Sequence, residues 1–144
     1  MDEKTTSKAL RLDNQLCFPL YAAARRVVSL YTPYLKPLGL TYTQYIVFLV
    51  LWEHDGLTVG ELGRRLYLDN GTLTPLLKKL EASGMIERTR DTSDERVVVI
   101  TLTDAGRALE QKAVEIPLRV GSCLHLDASQ AQSLYTILYQ LLEG

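Results

Sequence analysis

From Val97 to Thr101 five consecutive residues are β-branched, in a chain whose other apolar residues recur at helical spacing. Such a run packs well on a pleated surface and poorly on a helix. It is preceded by the strand-like Met85-Ile86-Glu87-Arg88-Thr89-Arg90 and by Asp91-Thr92-Ser93-Asp94-Glu95, which is turn chemistry. The spacing predicts a β-hairpin of strands 85–90 and 96–102. Two helices are predicted just before it. Thr58-Val59-Gly60-Glu61 is a capping box opening a helix to about Leu66, and Asp69 or Asn70 can cap a longer one that ends at Ser83-Gly84. Pro75 fits the second helix best if regular geometry sets in around Thr72. A helix pair followed at once by a hairpin is the order of a winged helix.

The flanks are helical. Asp13 is a candidate N-cap for a first helix to about Tyr31, whose stripe is Cys17, Leu20/Tyr21, Ala24, Val27/Val28 and Tyr31. Pro19 could delay its first turn. Thr32-Pro33 predicts a break and a short helical piece through Leu38, ended by Gly39. Thr41 and Gln44 form a capping box for a helix to about His54, stopped by Asp55-Gly56. Thr103 caps a long helix with Ala105, Leu109, Ala113 and Ile116 on its apolar side, kinked or ended by Pro117. Asp127 and Gln130 open the last helix, with Leu134, Ile137/Leu138 and Leu141/Leu142 as its buried face.

The 144 residues allow one domain. No apolar run is long enough to span a bilayer, and Met1–Lys8 carries no signal core, so a cytoplasmic protein is expected. Two cysteines far apart, Cys17 and Cys123, are neither a disulfide scaffold nor a zinc framework. With two histidines, no phosphate loop and no nucleophile elbow, neither an ordinary enzyme nor a metal or cofactor is expected. The net charge of −1 does not announce a nucleic-acid binder. Between Thr58 and Arg96 the charges balance, so DNA binding would need the two signs on different faces.

The helix pair, the Asp91…Asp94-Glu95-Arg96 turn and Leu102-Thr103-Asp104-Ala105-Gly106 together resemble the MarR family of transcriptional regulators. The resemblance covers nearly the whole chain. Leu16-Cys17-Phe18, Trp52-Glu53-His54 and the run from Tyr67 to Lys79 are similar to its organic hydroperoxide sensor branch, the OhrR type. That implies a mainly α fold with a small hairpin wing, the winged helix-turn-helix spanning about 41–102 and dimerisation helices about 12–38 and 103–143. It also implies a homodimeric repressor on a pseudo-palindromic double-stranded operator, released when a cysteine is oxidised by an organic hydroperoxide.

Cys17 is the candidate sensor. It lies in the first turns of a helix, where the partial positive charge favours a thiolate, and a thiolate that attacks a peroxide oxygen becomes a sulfenic acid. Tyr21 follows one turn later on the same face. Tyr31 is fourteen residues on, roughly 21 Å along a straight helix, and cannot touch the Cys17 of its own chain. In the resembling sensors, tyrosines matching Tyr31 and Tyr42 hydrogen-bond the reactive sulfur across the dimer. On the residues alone, Cys17 reads more readily as a small core hydrophobe and the tyrosines as packing; the resemblance is what favours the sensor. In two-cysteine sensors a cysteine near the place of Cys123 forms an intersubunit disulfide; others use a small external thiol. A buried structural role for Cys123 stays open.

For DNA, Asn70, Thr72 and Thr74 at the front of the second helix can reach base edges, and Lys78 and Lys79 phosphates. Arg96 on the wing suits minor-groove insertion, supported by Asp94; Arg88 and Arg90 flank it. Solvated helix charges are the plain alternative. Two other functions fit the same residues: a MarR-type repressor released by a small aromatic ligand, with Cys17 incidental, and a thiol peroxidase.

Overall fold

A computed structural model describes residues 7–144. Met1–Thr6, most of the segment read above as lacking a signal core, lies outside the described residues. Helix α1 (Cys17–Leu35) leads through a 3₁₀ turn (Lys36–Leu38) to α2 (Tyr42–Glu53), strand β1 (Leu57–Thr58), α3 (Val59–Leu66) and α4 (Asn70–Ala82). The hairpin β2 (Ile86–Arg90) and β3 (Val98–Leu102) follows, then α5 (Asp104–Ala113), α6 (Ile116–Ser122) and α7 (Ala128–Glu143). The sheet is antiparallel in the order β1-β3-β2. The pairs are Ile86 with Leu102 through Arg90 with Val98, and Leu57 with Ile100. Among the described residues no helix is long and apolar enough to cross a membrane.

Several expectations are corrected. Helix α1 starts at Cys17, not near Asp13, which sits in a 3₁₀ turn (Leu12–Asn14). The helix does not break at Thr32-Pro33; it runs through Pro33 to Leu35. An interior proline costs about 3 kcal/mol. Burial of Leu35, with Leu30, Tyr31 and Tyr34 packed on the core, offsets that cost. Helix α4 is regular from Asn70, because Asp69 caps it by accepting from the Thr72 N–H at 2.7 Å. The long helix after the wing is two: Pro117 is the second residue of a separate α6, where its missing N–H costs nothing. Ala105 is exposed, and Gly106 faces inward instead.

The boxes at Thr41/Gln44, Thr58/Glu61 and Asp127/Gln130 form with both reciprocal bonds. β1 was not expected from the sequence; two residues carry no periodic signal. The core joins Tyr45, Val47, Phe48 and Leu51 of α2 to Leu62 of α3 and to Leu73, Leu77 and Leu80 of α4. Ile86, Ile100, Leu109, Ala113, Ile116 and Val120 complete it.

The outer helices differ. In α1 only Leu35 is fully buried, and α7 has no buried residue. Its Leu134, Ile137, Leu141 and Leu142, expected inside, are exposed within the single chain, as are Leu16, Phe18, Leu20 and Val28. Large exposed apolar side chains on the two terminal segments make surfaces of the kind that mark interaction sites.

Candidate sensor and nucleic-acid interface

Cys17 is the first residue of α1 and is exposed. Tyr21 is one turn away, with the Arg25 guanidinium 5.6 Å over its ring. Since α1 is uninterrupted, Tyr31 lies roughly 21 Å from Cys17. One chain therefore does not bring the two together. It does bring Tyr31 to Tyr42, ring centroids 4.9 Å apart, and adds Tyr45 at 5.6 Å from Tyr31 and 6.2 Å from Tyr42. Tyr45, which sequence reasoning missed, is only 2% exposed. Burial raises the pKa of all three phenols, that of Tyr45 to about 12, so all stay protonated donors at neutral pH. A buried aromatic at one-turn spacing from a candidate was the available signal. Cys123 caps the end of α6, half-buried, its Sγ–H donating to the Arg119 carbonyl at 3.4 Å.

The helix pair is held by close approach. A Cβ on Gly63 would lie 2.6 Å from the Leu68 carbonyl oxygen. That closes the α3–α4 turn, and Leu68 N–H donates to the Gly63 carbonyl at 3.0 Å. Asn70, Thr74, Arg88 and Arg96 then line one groove of about 310 Å³ between the start of α3, α4 and the wing. Thr72, Lys78 and Lys79 are exposed on α4 outside it.

Arg96 is 90% exposed at its side chain and held by Asp94: Nε donates to Oδ1 at 3.1 Å and Nη2 to Oδ2 at 3.2 Å. The Arg96 guanidinium and its backbone N–H hold the Asp94 carboxyl below the usual carboxylate range. Arg90 donates to the Glu95 carbonyl at 2.8 Å across the wing. Arg88 is turned inward. Its side chain is 20% exposed, 3.8 Å from Glu81, and its enclosed Nε has no acceptor among the described residues.

The wing is anchored at its base by residues the sequence reading treated only as a helix stop or a motif. Asp55 Oδ1 accepts from the Leu102 N–H at 2.9 Å, and Oδ2 from Arg107 at 3.2 Å. The Trp52 indole N–H donates to the Gly106 carbonyl at 3.0 Å.

The SarA/Rot transcriptional regulator family matches residues 29–113, more than half the chain. The organic hydroperoxide resistance transcriptional regulator of Bacillus subtilis is 47% identical over 93% of this chain and 91% of its own. The chain belongs to the MarR family of transcriptional regulators. The regulator also resembles AbfR in three solved states. Reduced AbfR bound to DNA gives a TM-score of 0.78 at 42% identity, covering 92% of both chains. Overoxidised AbfR bound to DNA gives 0.75 at 41%, covering 92% and 93%. Disulfide-formed AbfR gives 0.65 at 42%, covering 92% and 93%. The regulator's α3–α4 pair and β2–β3 hairpin are thus the helix-turn-helix and wing of that family.

Proposed function

We propose that the regulator is a homodimeric DNA-binding repressor that senses organic hydroperoxides through Cys17 and then leaves a pseudo-palindromic operator. The observation that carries this reading is the layout of α1. The helix has a cysteine at its first residue, a tyrosine cluster near its far end, and an uncovered apolar face between. Two copies of α1 packed antiparallel would put each Cys17 beside the other chain's Tyr31 and Tyr42, supplying the phenol donors that one chain cannot.

The thiolate attacks the outer peroxide oxygen. The O–O bond breaks, the alkoxide leaves and takes up a proton as the alcohol, and the sulfur becomes a sulfenic acid. The apolar neighbours Phe18 and Leu20 favour an organic peroxide. Cys123 of the second chain, or a small external thiol, then attacks the sulfenic sulfur; an S–S bond forms and water leaves. AbfR has been solved on DNA both reduced and overoxidised, and separately with a disulfide. We therefore place release at the S–S bond, not at the addition of oxygen. Helices about 12–38 and 103–143 act as dimerisation elements around a DNA-binding unit of about 41–102, which presents Asn70, Thr72, Thr74, Lys78, Lys79, Arg90 and Arg96 with Asp94 in support, while Arg88, turned toward Glu81, braces β2 against α4. Cys17 reacts once per signal and does not turn peroxide over.

The test is Cys17→Ser. A duplex selected from a random-sequence pool should bind wild type and variant alike. Cumene hydroperoxide should weaken the wild type by more than a hundredfold, about 3 kcal/mol, and leave Cys17→Ser unchanged. Release of Cys17→Ser by peroxide points to another sensor. Sustained peroxide consumption by wild type points to a peroxidase.

A further inference from the structure

The outer edge of β3 is held by very little backbone. β1 contributes only Leu57 opposite Ile100 and Thr58 opposite Val99. Continuing that register places residue 55 opposite Leu102, two residues before β1 begins. The Asp55 side chain fills that rung: Oδ1 takes the Leu102 N–H at 2.9 Å and its neighbour Gly56's N–H at 2.9 Å. Oδ2 is left for Arg107, at 3.2 Å, on the first turn of α5. Beside this joint, Trp52 on the last turn of α2 donates to Gly106 of the same α5 turn at 3.0 Å. One carboxylate thus ties the loop after α2, the root of the wing and the start of α5.

We propose that Asp55 is a positioning residue for DNA binding: it fixes the tilt of the wing against α2, and so sets where Arg96 stands relative to α4. The proposal rests on the DNA-binding reading above. Among the described residues Arg96 has no side-chain anchor beyond Asp94 on the same turn, so its position in space is that of the hairpin. The hairpin's tilt is set at Leu102, because β2 and β3 are paired along their whole length and move as one ribbon. Arg107 makes the Asp55 rung persistent by holding the carboxylate in place, and it also stands 3.8 Å from Asp104.

The test measures affinity for the selected duplex together with thermal stability in a set of variants. Asp55→Asn keeps an oxygen for the Leu102 N–H but removes the charge that holds it to Arg107. Arg107→Gln removes the same ion pair from the exposed side, where folding is not endangered, and Arg107→Lys restores the charge. Asp55→Asn and Arg107→Gln should each weaken DNA binding by about tenfold, and Arg107→Lys by much less. The deciding arm is the Arg96→Ala background, in which Asp55→Asn should cost little more, because its effect runs through Arg96. Additive losses there, or lowered stability with unchanged affinity, overturn the proposal. A wild type that selects no duplex overturns the DNA-binding reading and this proposal with it. A wild type that binds while Asp55→Asn binds equally well overturns the proposal alone.

Discussion

Tyr31 of α1 and Tyr42 of α2 stand 4.9 Å apart, ring centroid to ring centroid, at an interplanar angle of 59°. Tilted pairs of this kind are favourable because the ring edge of one meets the face of the other. The pair ties the end of the helix that begins at Cys17 to the start of the helix that ends at the wing's root. Tyr45 backs both rings from inside the core.

Tyr45 makes stability fall at high pH. Burial raises its pKa to about 12, whereas in the unfolded chain a tyrosine ionises near 10. Below pH 10 both states hold the proton and the contribution is whole. Between about 10 and 12 the unfolded chain loses its proton first, so stability declines as pH rises. The urea midpoint should drop from pH 9 to pH 11, and Tyr45→Phe should show a shallower drop.

Gly106→Ala should destabilise the fold without touching the sensor. The added methyl would overlap the Met85 carbonyl oxygen, which already accepts from the Thr103 N–H at 3.1 Å. Forcing volume into such a contact costs about 1–3 kcal/mol. In a chain of this size that lowers the melting temperature by ~2–4 °C per kcal/mol. An unchanged melting temperature in a thermal scan would show that α5 can slide away from Met85.

Arg96→Ala should weaken duplex binding by tenfold or more at unchanged melting temperature. The side chain is nearly free of the protein, and one base-reading arginine is worth about 1–3 kcal/mol. Lys78→Ala, by contrast, should lower the slope of log affinity against log salt by about 1, because one phosphate fewer is neutralised and one counterion fewer released. Equal affinity for Arg96→Ala in a titration would mean that the wing stays outside the groove.

Oxidised wild type should run as a reducible dimer on a non-reducing gel if Cys123 completes the chemistry. Disulfide formation needs the two Cα atoms within about 7 Å, which requires the outer helices of two chains to approach. Cys123→Ser should lose the band. It should still release DNA when a small external thiol is supplied, and stay bound without one. Sedimentation at micromolar concentration should show a dimer before any oxidation. A monomer there would remove the cross-subunit site.

Local chemistry carried most of the fold into the sequence. The capping boxes at Thr41, Thr58 and Asp127, the cap at Thr103 and the β-branched run into β3 act within a few residues of chain, so their signals are readable without a structure. The Asp94–Arg96 pair is legible for the same reason, since two residues on one turn meet whatever surrounds them. What the sequence could not settle was decided across distance. Pro33 stays helical because Leu35 is anchored in a core assembled from other elements. Ala105 and Gly106 exchange places because Met85, far back in the chain, leaves no room for a Cβ. Asp55 reads locally as a turn residue, and only the late start of β1, at Leu57, makes it the acceptor for Leu102. The stripes of α1 and α7 have the period of buried helices, but period records only that a face is apolar. Whether that face is covered depends on what stands against it, and among the described residues of one chain most of it is left exposed.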